Sequence, residues 1–132
     1  MIVYTYGVFD LFHYGHLRML KQASKLGDFL IVGVFTDKVA AGFKRKPIIN
    51  QRHRKLLIEE LNLADKVVYQ DDFSPLKNLR KYRAEVVAKG EGAGWSDTHI
   101  PEFPNCETVY LKYTAGISTS DIIKKCLSSQ TT

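Results

Sequence analysis

An α/β fold built on a parallel sheet is what this sequence predicts, and two observations carry the prediction. Five short apolar runs, at residues 2–6, 28–35, 66–69, 85–88 and 108–111, alternate with helical patterns near 15–26, 51–62, 75–82 and 118–128. The longer runs are continuously apolar rather than alternating, as expected of strands covered on both faces. Short, right-handed crossovers then leave a doubly wound, Rossmann-like five-stranded sheet in three α/β/α layers as the simplest topology.

The first run, Ile-Val-Tyr-Thr-Tyr, is rich in β-branched and aromatic residues, and Leu17, Leu20, Ala23 and Leu26 follow it at helical spacing. Phe29-Leu30-Ile31-Val32 opens the second run. Leu56, Leu57 and Leu61 mark the next helix, and three shorter strand candidates follow. Residues 89–105, with Gly90, Gly92, Gly94, Pro101 and Pro104, form the longest irregular stretch, of a kind that is often functional. Ser118 with Asp121 reads as a capping box for a last helix carrying Ile122, Ile123, Cys126 and Leu127. The tail 128–132 is expected to fray.

Bulk properties narrow the function. A chain of 132 residues fits one domain, 1–132, with room for a substantial core. Its 45% hydrophobic and 25% charged content is ordinary for a globular protein, and no apolar run approaches the roughly 20 residues of a membrane span. Met1 leads directly into the first strand, so no leader is expected. Cys106 and Cys126 form no CxxC pair and read as buried free thiols of a reducing compartment, hence cytoplasmic. The net charge of +5 favours anionic partners. No aromatic–basic platform points to nucleic acid.

The chemistry concentrates in Gly-Val-Phe-Asp-Leu-Phe-His-Tyr-Gly-His, residues 7–16, where a strand runs into a helix. That junction lies on the carboxyl edge of a parallel sheet, where ligands collect, and the helix start offers free N–H groups to an anion. His13 and His16 share one helix face, and Gly15 between them lets a phosphate approach the backbone. A metal site would need further ligands, and His53, His99 and the cysteines form no spaced cluster, so none is expected. At a second strand-to-helix junction, Thr114, Gly116, Ile117, Ser118 and Thr119 could form a phosphate cradle or simply a well-capped turn. The basic run Lys44-Arg45-Lys46 and Arg54, in the first turn of its helix, could grip phosphates. Asp10 and Asp37 follow strands, and Asp37 is expected to cap a helix.

Gly-x-Phe-Asp-x-x-His-x-Gly-His together with Gly-Ile-Ser-Thr-Ser-Asp resembles the cytidylyltransferase-like nucleotidyltransferases, and the likeness extends over nearly the whole chain. Within that family the size and the Val109-Tyr110-Leu111 strand resemble members that join CTP to a small phosphorylated alcohol, glycerol 3-phosphate above all. The resemblance implies a CDP-alcohol and pyrophosphate as products, Mg2+ carried by the triphosphate, and a homodimer. It implies that His13, His16, Lys44, Lys46 and Arg54 serve catalysis. It also places the nucleotide against Gly7, Val8, Phe9, Asp10, Gly15, Lys89, Gly90, Glu91, Thr114, Gly116, Ile117, Ser118 and Thr119. Tyr113 and Asn62 stand where these enzymes carry arginines. Phosphocholine, phosphoethanolamine, a sugar phosphate with ATP or CTP, and a nucleotide-binding module without catalysis therefore stay open.

Overall fold

The computed structural model describes residues 1–90, 105–112 and 114–129. In chain order the elements are β1 (Ile2–Gly7), α1 (Tyr14–Ser24), β2 (Phe29–Phe35), α2 (Asp37–Phe43), α3 (Gln51–Glu60), β3 (Lys66–Gln70), α4 (Leu76–Tyr82), β4 (Val86–Gly90), β5 (Glu107–Leu111) and α5 (Thr119–Ser129). The five strands form one sheet in the order β3-β2-β1-β4-β5. Every pairing is parallel. The expected doubly wound sheet is therefore present. Because the strands are parallel, their polar ends gather on one edge and their connections cross the two faces.

Side chains alternate across each strand, so each face acquires its own core. Val3, Leu30, Val32, Val34, Val86, Ala88 and Leu111 pack with Leu20 and Ala23 of α1 and Ile58 of α3. Tyr4, Tyr6, Ile31, Phe35 and Val87 pack with Ala40 of α2 and Leu79 of α4. Each fully buried aliphatic residue contributes about 1.5–3 kcal/mol, which holds the three layers together. Beneath α4 the Tyr4 hydroxyl donates to Gln70 Oε1 at 2.5 Å and accepts from Asn78 Nδ2 at 2.9 Å. A Cβ at Gly33 would lie 2.0 Å from that hydroxyl, so the glycine in the middle of β2 makes room for the network.

The structure departs from the sequence expectations in four places. Helix α2 was not expected, and Thr36 rather than Asp37 caps it, accepting from Val39 N at 3.3 Å. Cys126 is exposed and Cys106 half-buried, so the free thiols are not both buried. Ser128 and Ser129, expected to fray, form the last residues of α5. Most of the irregular stretch 89–105 lies outside the described residues. Among the described residues, no helix is long and apolar enough to cross a membrane.

Topology sets the position of the site. From β1 the chain steps outward through β2 to β3, then returns to β4 on the other side of β1. The crevice at the carboxyl ends of β1 and β4 is thus the switch point, the usual ligand position in such sheets.

Candidate active site

β1 ends in a strained turn. Phe9 and Leu11 both take left-handed backbone conformations, with φ of 56° and 48°, which non-glycine residues rarely adopt and which cluster at functional sites. Their backbone turns the chain sharply into α1 at His13 and lays Phe9 beneath the site. Its ring packs edge-on to His16 at 5.7 Å, and Phe12 stacks on the same imidazole at 5.3 Å.

His13 and His16 close a capping box on each other. His13 Nδ1 accepts from Gly15 N at 3.0 Å, and His16 Nδ1 accepts from His13 N at 3.1 Å. The rings stack with centroids 3.9 Å apart. An imidazole whose Nδ1 accepts carries its hydrogen on Nε2, so both residues become Nε2–H donors. His13 Nε2 is enclosed and has no hydrogen-bond partner among the described residues. A Cβ at Gly15 would come within 2.8 Å of the His13 ring, so the glycine is needed first to seat the histidine cap.

The rings are held uncharged. Burial, with His13 and then Lys44 adding repulsion, pulls the His16 imidazole down to about 3. Burial and then Lys44 lower His13 as well. Lys44 itself is lowered by burial and by Arg45, against a raising effect from Asp10. One ammonium therefore stands near both imidazoles and the Asp10 carboxylate.

The carboxyl-terminal junction comes to the same place. Thr119 is buried, and its hydroxyl donates to the Asp10 carbonyl at 2.8 Å, tying the start of α5 to the β1–α1 turn. Ile117 Cγ2 lies 3.6 Å from where a Gly15 Cβ would sit. Ser118 Oγ accepts from Asp121 N at 3.1 Å and so caps α5. Thr114 Oγ1 accepts from Arg18 Nη1 at 3.4 Å, and Gly116 turns the chain between them at φ 85°. Two helix starts, with their free N–H groups, thus converge on one region.

Several residues sit differently from expectation. Arg54 is 1% exposed and does not face the crevice as a free cation. Its Nε donates to Ile49 O at 2.8 Å, Nη1 to Val8 O at 2.7 Å and Phe35 O at 2.9 Å, and Nη2 to Asp37 at 2.6 Å. Three carbonyls and a carboxylate absorb the guanidinium, so it pins the ends of β1 and β2. The Asp10 carboxylate likewise accepts from Ile48 N and Ile49 N, both at 2.9 Å, and is spent on the loop before α3. Lys46 is exposed, whereas Arg45, between the two lysines singled out from sequence, has an enclosed Nε without a partner among the described residues. Lys89 is buried at the end of β4, Gly90 lies against Met19, and Glu91 falls outside the described residues. Gly7 ends β1 against the Phe9 ring, and Val8 packs its side chain on the core around Tyr4 and Tyr6. Among the described residues, no group of three or more His, Cys, Asp or Glu side chains could hold a metal ion.

Comparison with known proteins places this geometry. Residues 4–125 match the family described as Cytidylyltransferase-like. A glycerol-3-phosphate cytidylyltransferase of Bacillus spizizenii is 35% identical over 127 residues, covering 96% of this chain and 97% of that protein. The bifunctional protein HldE of Helicobacter pylori is 35% identical over 126 residues, 94% of this chain but 27% of that protein. Among solved structures, the lipopolysaccharide core biosynthesis protein of Thermoplasma volcanium superposes with a TM-score of 0.70 at 24% identity, over 86% of this chain and 96% of that one. That last likeness concerns the fold alone.

Proposed function

The chain belongs to the cytidylyltransferase-like family and is a nucleotidyltransferase, and from that premise we propose that it transfers CMP from CTP to glycerol 3-phosphate, releasing pyrophosphate. The observation that carries the reading is the end-to-end similarity to glycerol-3-phosphate cytidylyltransferases, over a site whose enclosed His13 Nε2–H lacks an acceptor among the described residues.

The chemistry needs no covalent intermediate. An acceptor phosphate oxygen attacks the α-phosphorus in line, the bond to the bridging oxygen breaks, and pyrophosphate departs with the electron pair. Two polyanions must meet while charge moves onto the leaving oxygens, so positioning and neutralisation supply the catalysis. The Nε2–H donors of His13 and His16 meet phosphate oxygens. Lys44 and Arg45 supply positive charge, and the N–H groups opening α1 and α5 take the β and γ phosphates, with Ser118 holding the second helix start. Asp10, Thr119 and Arg54 position these groups through the contacts described above. Magnesium suits this donor set as a passenger on the triphosphate, because the Asp10 carboxylate is already engaged by two amides; it supplies charge neutralisation of the phosphates. One helix terminus contributes only about 0.3–1 kcal/mol and one preorganised donor about 2.7–4 kcal/mol, so a barrier reduction of at least about 8 kcal/mol requires several of them together.

The test is a matrix of CTP and ATP against glycerol 3-phosphate, phosphocholine, phosphoethanolamine and sugar phosphates, read by pyrophosphate release. Turnover is expected with CTP and glycerol 3-phosphate. Release confined to ATP or to a sugar phosphate would overturn the substrate assignment.

A further inference from the structure

α1 presents a second row to the site, which runs on from the glycine of the His-x-Gly-His pattern. Gly15, Arg18 and Gln22 recur at helical spacing and face the segment joining β5 to α5. Gln22 brackets Lys112, accepting from its N–H at 3.0 Å and donating to its carbonyl at 3.2 Å. Gly15 lies beside Ile117. Arg18, between them, is half-buried and reaches Thr114 Oγ1 with one long bond of 3.4 Å.

A guanidinium has five donors in a planar fork suited to phosphate oxygens, and this long contact satisfies only one of them, weakly. Among the described residues, no carboxylate pairs with Arg18. None of the Arg18 nitrogens is among the enclosed atoms without a partner, so its remaining donors stay open to solvent and to an anion entering the crevice. The contrast with Arg54 is direct, since that guanidinium is fully engaged by the protein and has little left for a ligand. Arg18 is tethered to Thr114 instead, next to the turn that opens α5, where exposed N–H groups already favour negative charge.

We propose that Arg18 is a phosphate-binding residue of this site, taking oxygens of the β and γ phosphates and then of the departing pyrophosphate. The proposal rests on the nucleotidyltransferase reading of the crevice. It differs from a purely structural role for Arg18, in which the side chain only steadies the 112–118 segment.

Calorimetric titration of the full chain with CTP, CMP and inorganic pyrophosphate, each with magnesium, separates these. Arg18→Gln is expected to weaken CTP and pyrophosphate about ten- to a hundredfold, the range for a lost charge-assisted contact, while CMP changes by less than about twofold. Arg18→Lys keeps the charge without the fork and is expected to fall between. Equal losses for CTP and CMP, or no loss for either, would overturn the proposal. Should Arg18→Gln fail to fold, pyrophosphate affinity of Arg18→Lys decides: a several-fold loss supports the role and none removes it. A wild-type protein that binds pyrophosphate and ATP but not CTP displaces the choice of base and leaves Arg18 to the pyrophosphate arm. A wild-type protein that binds neither nucleotide nor pyrophosphate ends both readings.

Discussion

In the proposed mechanism His13 and His16 divide their four ring nitrogens between structure and chemistry. The two Nδ1 atoms accept the main-chain bonds that start α1, and this leaves hydrogens on both Nε2 atoms. Burial keeps His16 neutral down to about 3 and lowers His13 in the same direction. At neutral pH the pair therefore acts as two N–H dipoles, and the full positive charges come from Lys44 and its neighbours. Removing one such preorganised donor costs about 2.7–4 kcal/mol of transition-state stabilisation, so His16→Ala should lower kcat by about a hundred- to a thousandfold. Circular dichroism should show the fold retained, and ordinary pyrophosphate release by the folded variant would count decisively against the role. His13 permits a finer division. Asparagine is among the best N-caps, so His13→Asn should keep the melting temperature and lose the activity, whereas His13→Ala should lose both. Parallel changes in the two variants would mean that the cap is all His13 provides.

At the level of elements, the crevice is held by side chains that reach across long sequence separations. Arg54 joins the ends of β1 and β2 to α2 and to the loop before α3. A lysine ammonium cannot reproduce that fork, and a broken buried ion pair costs about 3–5 kcal/mol. Arg54→Lys should consequently lower the melting temperature by about 10 °C or more, with activity falling because Val8 and Asp10 lose their support. An unchanged melting curve would refute the positioning role. The same elements show what the sequence made legible. The central strands were readable because parallel strands buried on both faces are apolar throughout, and the His-x-Gly-His turn was readable because its position after β1 is fixed by that pattern. Ser118 was readable as a cap from its spacing to Asp121. Helix α2 was not, since seven residues that include Gly42 give no sustained periodicity, and its only signal was the Thr36 cap. For Arg54 the spacing gives its place in the first turn of α3 but not its direction, which depends on carbonyls 5, 19 and 46 residues away. In the sequence nothing local distinguishes Arg18 from a solvated basic residue on a helix.

For the whole molecule, burying the histidine pair makes stability depend on acid. Unfolding frees His16 to titrate at its ordinary value of 6.5, while in the fold it stays neutral down to about 3. Between those limits the unfolded chain binds more protons than the native one, so stability increases with pH there. The His16 contribution is complete above pH 6.5, declines as pH falls, and stops changing near pH 3, where the native imidazole also protonates. Each proton bound differentially contributes a slope of up to about 1.4 kcal/mol per pH unit. His13 is lowered too and adds a slope of the same sign. Asp28, held down by its bond to the Met1 ammonium, and Asp71, held down by Lys77, contribute in the lower carboxylate range instead. The upper part of the acid limb, from about pH 6.5 to 5, should therefore belong to the imidazoles. Urea midpoints measured at pH 7.5, 6 and 5 should fall steadily for the wild-type protein. In His16→Gln, which removes one of the two titrating rings, the decline over that interval should become shallower, the part due to His13 remaining, and steepen again as the carboxylates begin to protonate. A His16→Gln protein with the wild-type slope would show that the buried ring is not what couples this fold to acid.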